Sequence, residues 1–262
     1  MKNNFICVKE VVSAKEWEVR VKLAAAYRAV YYLGYEQSIF AHISARVPNE
    51  DAILLNPFGL AFDEITASSL VKVNSKKEIV IDNGYGLNEA GWNIHSGVLF
   101  SKPNINCALH LHTTDGVAVS AQKCGFLPLS QDGLLFYNDI AYHDYEGVVV
   151  STEEPKRMVE NLGDNKILVL RNHGSLFVGK SIEEAFFIMY NYEKACTEQI
   201  KALSGGGVDG VIQVSDAIVK AVPAERDIVI DHLSNSSNEH SYDAIYDSWI
   251  RRMKRLFPDF DQ

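Results

Sequence analysis

Asn106-Cys-Ala-Leu-His110-Leu-His112, followed further along by Leu170-Arg-Asn-His173-Gly174, is the stretch on which the reading of this chain turns. In an extended strand successive side chains point to opposite faces. His110 and His112 therefore share one face, about 7 Å apart along the backbone, and can converge on one ion. Two readings stay open for the pair alone. With eight histidines in the chain, an HxH can hold a metal, or its rings can simply be hydrogen-bonded in a half-buried strand. His173 favours the metal because of its place: Lys166-Ile-Leu-Val-Leu170 reads as a buried strand, and Asn172-His173-Gly174 as a strand-end turn that presents polar groups without burying charge. Three neutral imidazoles, with one position left for water or substrate, form a known divalent-metal set.

Outward from this stretch, helices and strands alternate. A helix from Glu89 to Lys102, stopped by Pro103, feeds the HxH strand, and a second from Thr113 to Lys123 leaves it and closes on Gly125. Upstream, the capping box Ser13-Ala-Lys-Glu16 opens a helix through Trp17, Val21, Ala24, Tyr27 and Tyr31 that stops at Gly34. Short strands are expected at Ser38 to Val47, Ala52 to Leu55 and Glu78 to Asp82. Downstream come a strand at Val148 to Val150, a helix from Glu153 to Leu162 and the Lys166 to Leu170 strand. A second capping box, Ser181-Ile-Glu-Glu184, then starts a long helix whose Ala185, Ile188, Met189, Tyr192 and Cys196 form a core stripe.

Residues 9–203 thus read as one α/β domain, and 204–262 as a linker and helical tail. Gly205-Gly-Gly207-Val-Asp-Gly210 fits GxGxxG formally. It follows a helix, whereas a dinucleotide fingerprint must follow a strand, so the linker reading prevails. Ile212 to Pro223 and the acidic, serine-rich Asp227 to Ser241 read as mobile or partner-contacting material. A helix from Tyr242 to Leu256 carries Tyr246, Trp249 and Met253 on one face, suited to its own domain or a neighbouring subunit.

Composition excludes other classes. At 262 residues, 47% apolar and 23% charged, the chain is ordinary globular material. A net charge of −9 argues against a nucleic-acid partner; Arg251-Arg-Met-Lys-Arg255 is the one basic cluster and reads as an exposed helix face. There is no run of eighteen apolar residues, and Met1 to Lys9 is too short in apolar residues for a signal peptide, so no membrane partner and a cytoplasmic location are expected. The four cysteines show no CxxC and read as buried thiols.

His95, Pro103, the stretch 106–112, Gln131-Asp132, Gly147-Val-Val149 and Leu170 to Gly174 with its long capped helix together resemble the class II aldolase/adducin family. The resemblance spans Val12 to Leu203, and the tail Trp249 to Pro258 is similar to the ending of a bacterial adducin-like branch. It implies a three-layer α/β/α fold with a central, largely antiparallel sheet, assembled as a homotetramer around sites near subunit interfaces. It also implies a divalent ion on His110, His112 and His173, zinc first, with Mn2+, Fe2+ or Co2+ as alternatives, and a small-molecule substrate. The implied chemistry is that of a metal-dependent lyase: aldol cleavage, decarboxylation or related enediolate chemistry. The other reading is a non-catalytic interaction module, as in the cytoskeletal adducins.

Two departures from the sugar-phosphate aldolases bear on the substrate. With Pro103 and His95 in register, the position of their essential glutamate is Gly91. Glu89 and Asp132 are then the candidates for acid/base work, each also readable as a helix-start or surface charge. Where those aldolases have a phosphate turn, this chain has Ala41-His42-Ile-Ser44. His42, Ser44, Asn56 and Gly59 remain as substrate-loop candidates, with His42 suited to a carboxylate or to capping a strand.

Overall fold

Serine caps open two of the long helices, where the sequence places its capping boxes. The computed structural model describes residues 7–147, 153–237 and 241–262. After a single turn, α1 (Val8–Val11), Ser13 accepts the Glu16 backbone N–H at 3.1 Å and starts α2 (Ala14–Tyr32). Glu16 does not reach back to complete the box. Its buried carboxylate instead takes Arg20 at 2.8 Å and Lys72 at 2.7 Å. Ser181 likewise caps α7 (Ile182–Leu203) through the Glu184 N–H, while the Glu184 carboxylate accepts from Lys166 Nζ at 2.8 Å and from the Lys180 backbone N–H at 2.7 Å.

The remaining elements are β1 (His42–Arg46), β2 (Ala52–Leu55), β3 (Val71–Asn74), α3 (Glu89–Ser101), β4 (Cys107–Leu111), α4 (Thr114–Ser120), α5 (Gln131–Leu134), β5 (Ile140–His143), α6 (Glu154–Leu162), β6 (Ile167–Leu170), β7 (Gly174–Gly179), α8 (Asp216–Ser237) and α9 (Ser241–Leu256). The strands form one sheet in the order β3-β2-β1-β4-β7-β6-β5, antiparallel throughout except for the β5–β6 pair. Period-two alternation sorts the sheet's side chains into two cores. Ile43, Leu54, Leu109, Leu111, Val169 and Phe177 pack with α2, α7 and α9. Ile53, Leu55, Val71, Ala108, Leu168 and Val178 pack with α3 and α6 on the opposite face. The fold is therefore a three-layer α/β/α arrangement around a largely antiparallel sheet.

Several expectations are corrected. The run Glu78 to Asp82 is not a sheet strand. The strand is Val71–Asn74, concealed in the sequence because Lys72 interrupts its apolar pattern; its ammonium is buried on Glu16 and also pairs with Glu50 at 2.6 Å. Residues 78–80 lie along the outer edge of β3, with Asn74 N–H donating to the Glu78 carbonyl at 3.0 Å and Val80 N–H to that of Lys72 at 2.9 Å. β5 and β7 are additional strands. The stretches read as mobile or partner-contacting, 212–223 and 227–241, fall largely within the 22-residue helix α8, which tolerates Pro223; between them Arg226 donates to the Leu135 carbonyl and the Asp139 carboxylate, both at 2.7 Å. The strand expected at Val148 to Val150 lies outside the described residues. Of the four thiols, Cys107 and Cys196 are buried but Cys7 and Cys124 are exposed, in segments flanking helices rather than in the core.

The tail packs on the domain. α9 lies against α2 and α7, with Tyr246 donating to the Lys22 carbonyl at 2.8 Å and Phe186 edge-on to Tyr246 and Trp249. Among the described residues no helix is long and apolar enough to cross a membrane.

Candidate metal centre

With Cys107, Leu109 and Leu111 committed to the α2/α7 core, alternation turns Ala108 and His110 toward α3, and His112 follows just beyond the strand end. The third histidine arrives by a tight turn. His173 N–H donates to the Leu170 carbonyl at 3.0 Å, and Asn172 takes a left-handed φ of +59°, which asparagine tolerates. Gly174 then enters β7 so close to β4 that an added Cβ would collide with the Leu111 carbonyl oxygen and lie 2.9 Å from His112 Cδ2. Only glycine permits that approach, and it brings His173 to the HxH pair.

One ring nitrogen from each of His110, His112 and His173 lies within 4.8 Å of the others. The ring centroids of His173 stand 4.9 Å from His110 and 4.7 Å from His112. Hydrogen bonds fix the tautomers of the pair. His110 Nδ1 is 3.1 Å from the Ser175 carbonyl and His112 Nδ1 is 2.5 Å from Gln37 Oε1. The Ser175 carbonyl only accepts, and the Gln37 amide, set with its oxygen toward the ring, accepts as well; with protons assigned to both Nδ1 atoms, both Nε2 atoms present lone pairs. Those two Nε2 atoms face each other at 2.8 Å. Facing lone pairs repel unless a cation lies between them, and a divalent ion with imidazole ligands oriented by outer hydrogen bonds is the group this donor set fits.

The electrostatics agree. Burial holds His110 well below the usual histidine range, and the neighbouring imidazoles lower it further. Burial also brings His112 down to about 4, and lowers His173. All three are neutral at pH 7, as ligation requires.

Two more histidines stand beside them. His42 is the cross-strand partner of His110, with ring centroids 5.0 Å apart. Its Nδ1 is 2.9 Å from Nε2 of His95 on α3, and His95 Nδ1 meets the hydroxyl of Ser44. All three residues are buried; burial holds His42 well below its usual range and His95 at about 3. Gly91 faces this group. A Cβ at position 91 would lie 3.1 Å from His42 Cβ and Cγ and 3.2 Å from Leu55 Cδ1, so His42 occupies the space that a side chain there would need.

The other candidates have the following settings. Glu89 is 64% exposed, with its carboxylate 2.5 Å from Lys77, and Asp132 is 2.5 Å from Lys194. Asn56 is fully buried; its Oδ1 accepts from the Tyr27 hydroxyl at 2.9 Å and its amide faces the Ala41 carbonyl. Gly59 sits in a loop with φ of +97°. His95 and Gln37 were not among the expected site residues. His95 shows in the sequence only through the family register, and Gln37 gives no signal at all. Tyr145, whose ring centroid is 6.4 Å from that of His173, was equally unmarked.

Comparison with known proteins places the fold. Residues 21–200 match the model of the Class II Aldolase and Adducin N-terminal domain. A Caulobacter vibrioides protein named "Putative aldolase class 2 protein" is 46% identical over 211 residues, which is 80% of this chain and 82% of that one. Alpha-adducin of Mus musculus is 46% identical over 209 residues, or 78% of this chain but 28% of the adducin. The crystal structure of an aldolase II superfamily protein from Pseudomonas syringae superposes with a TM-score of 0.90 at 40% identity, covering 97% of this chain and 99% of that one. The L-fuculose 1-phosphate aldolase of Glaciozyma antarctica shares the fold, with a TM-score of 0.79 at 24% identity over 95% and 93% of the two chains. The chain belongs to the class II aldolase and adducin family.

Proposed function

We propose that the protein is a divalent-metal-dependent lyase of the class II aldolase type, acting on a small hydroxy or keto substrate by aldol cleavage, decarboxylation or related enediolate chemistry. One observation carries this reading: His110 and His112 have both Nδ1–H groups committed to acceptors and both Nε2 lone pairs converging, with His173 in the same group. These three residues hold the ion. Zinc suits three nitrogen donors, and Mn2+, Fe2+ or Co2+ accept the same set. When bound, such an ion supplies Lewis-acid polarisation of a carbonyl oxygen and the adjacent hydroxyl.

The chain's own residues provide the rest. Glu89 and Asp132 must each leave a lysine to act on a substrate. His42 has no lysine to leave; it stands against His110 as a neutral imidazole linked through His95 to Ser44. We assign to His42, a neutral imidazole where a carboxylate at position 91 would stand, the hydrogen bonding of a substrate oxygen, and keep proton transfer with Glu89 or Asp132. Without that carboxylate or a phosphate turn, a substrate lacking phosphate fits better than a sugar phosphate. The exposed Phe40, Phe58 and Tyr145, at 60%, 60% and 54%, support a homotetramer in which a neighbouring subunit covers them.

The adducin-like alternative, an interaction module without turnover, draws on the 46% identity to alpha-adducin and on Gly91. Metal content and turnover separate the two. Metal-replete wild-type protein should carry an ion on these histidines, His110→Ala/His112→Ala should lose one equivalent, and a screen of hydroxy acids, aldols and sugar phosphates should reveal turnover abolished by that variant. Failure of the variant to lower metal content would refute the lyase reading. A loaded protein inert to every substrate class would favour the interaction module. Light scattering at the monomer mass would defeat the tetramer.

A further inference from the structure

A second group of ligand-type side chains stands apart from the three histidines, and nothing in the proposed reaction uses it. His143 closes β5, Glu146 follows in the segment leaving that strand, and Glu154 opens α6. One ligand atom from each lies within 4.8 Å of the others. His143 is 4% exposed, and its Nε2 has no hydrogen-bond partner among the described residues. That nitrogen stands 3.7 Å from Glu146 Oε1 and 3.7 Å from Glu154 Oε1.

The equal distances are informative. Hydrogen bonds from a ring N–H to a carboxylate close to about 2.7–3.2 Å, so neither carboxylate is bonded to this imidazole. Two ligands about 2.1 Å from one ion, subtending about 110–120° at it, lie about 3.4–3.6 Å apart, close to what is seen here. The charge also calls for a cation. Glu146 is matched by Arg157, with Nε at 2.9 Å and Nη2 in contact, but no lysine or arginine among the described residues forms an ion pair with the 7% exposed Glu154 carboxylate. Asn161 lies 2.8 Å from His143 Nδ1 through its amide nitrogen. Turning that amide over presents its oxygen instead, which accepts the Nδ1 proton and leaves an Nε2 lone pair facing the carboxylates.

We infer that His143, Glu146 and Glu154 form a second divalent-cation site, for an ion of the zinc or manganese type that accepts mixed nitrogen and oxygen donors. The inference does not rest on the lyase reading. An ion here joins the end of β5 to the start of α6 and fixes the stance of Tyr145, whose ring neighbours His173. The role is structural, supporting the wall of the first site.

The His110→Ala/His112→Ala variant supplies the test, because any ion it keeps comes from elsewhere. After equilibration with zinc and gel filtration, mass spectrometry of metals should find two equivalents in wild type and one in this variant. Adding Glu146→Gln and Glu154→Gln should bring it to none, whereas adding Asp144→Asn, a 94% exposed neighbour outside the set, should leave one. Zero equivalents in the histidine variant, or retention of its ion after the glutamate changes, overturns the site and leaves the three residues as a buried polar cluster. If the histidine changes cost nothing while the glutamate changes remove an ion, the lyase reading fails and this site stands. Should the variants not fold, zinc-edge anomalous diffraction from wild-type crystals decides: a peak among His143, Glu146 and Glu154 supports the site, and a peak only at the three histidines overturns it.

Discussion

Acid should destabilise the metal-free protein through its buried histidines, and His95 gives the effect a magnitude. The unfolded chain takes a proton on histidine near pH 6.5, whereas burial holds folded His95 at about 3. Between those values the unfolded state binds more protons, so stability rises with pH across the window and is lost as pH falls from about 6.5 toward 3. At pH 5 the unfolded form gains about 1.5 decades of protonation that folded His95 cannot match, worth about 2 kcal/mol relative to pH 8. His112, at about 4 and partly exposed, adds a smaller loss of the same sign. Against a total stability of about 5–15 kcal/mol, a loss of about 2 kcal/mol in mild acid is a sizeable fraction for one side chain. Urea unfolding of wild type and His95→Gln, in chelator at pH 8, 7, 6 and 5, isolates the contribution. The variant should start less stable, having lost an imidazole that joins His42 to Ser44, yet decline by about 2 kcal/mol less between pH 8 and 5. Parallel pH profiles for the two proteins would show that His95 is not held neutral, and the account of the buried cluster would fall.

Other substitutions probe the packing around the same cluster. Gly91→Glu should cost about 1–3 kcal/mol by overpacking against His42 and Leu55, and His42→Ala in the same chain should recover at least about 1 kcal/mol of it; additive losses in thermal unfolding would deny that the two positions share one space. Gly174→Ala should push β7 off the Leu111 carbonyl, destabilising by about 1–3 kcal/mol and weakening metal binding by calorimetry, so an unchanged affinity would contradict the close-approach argument. Gln37→Ala removes the acceptor that fixes the His112 tautomer and should lower metal affinity about 10–100-fold without changing stoichiometry.

The sequence makes some of this legible for local reasons. Strand alternation alone puts His110 and His112 on one face, and serine at 13 and 181 marks helix starts because the side-chain oxygen takes an orphan N–H. What it hides depends on partners distant in the chain. Lys72 disguises β3 because its charge is satisfied by Glu16, and β7 is masked by glycine at both of its ends. The His42–His95–Ser44 contacts follow from strand register and from the placement of α3, neither of which a local pattern encodes. Glu89 and Asp132 attract notice as acids near a metal motif, yet the groups they face, Lys77 and Lys194, are set by where the helices lie.

The margin of the sheet at β3 carries a consequence for solubility. A bare strand edge of Val71-Lys72-Val73-Asn74 would offer its backbone groups to another chain, the first step toward ordered aggregates. Two features prevent this: residues 78–80 occupy the outer hydrogen bonds, and Lys72 sends a charge inward onto the buried Glu16, with the more exposed Glu50 as its second partner. A foreign strand would first have to displace residues 78–80, so the β3 margin is closed by cover as well as by charge.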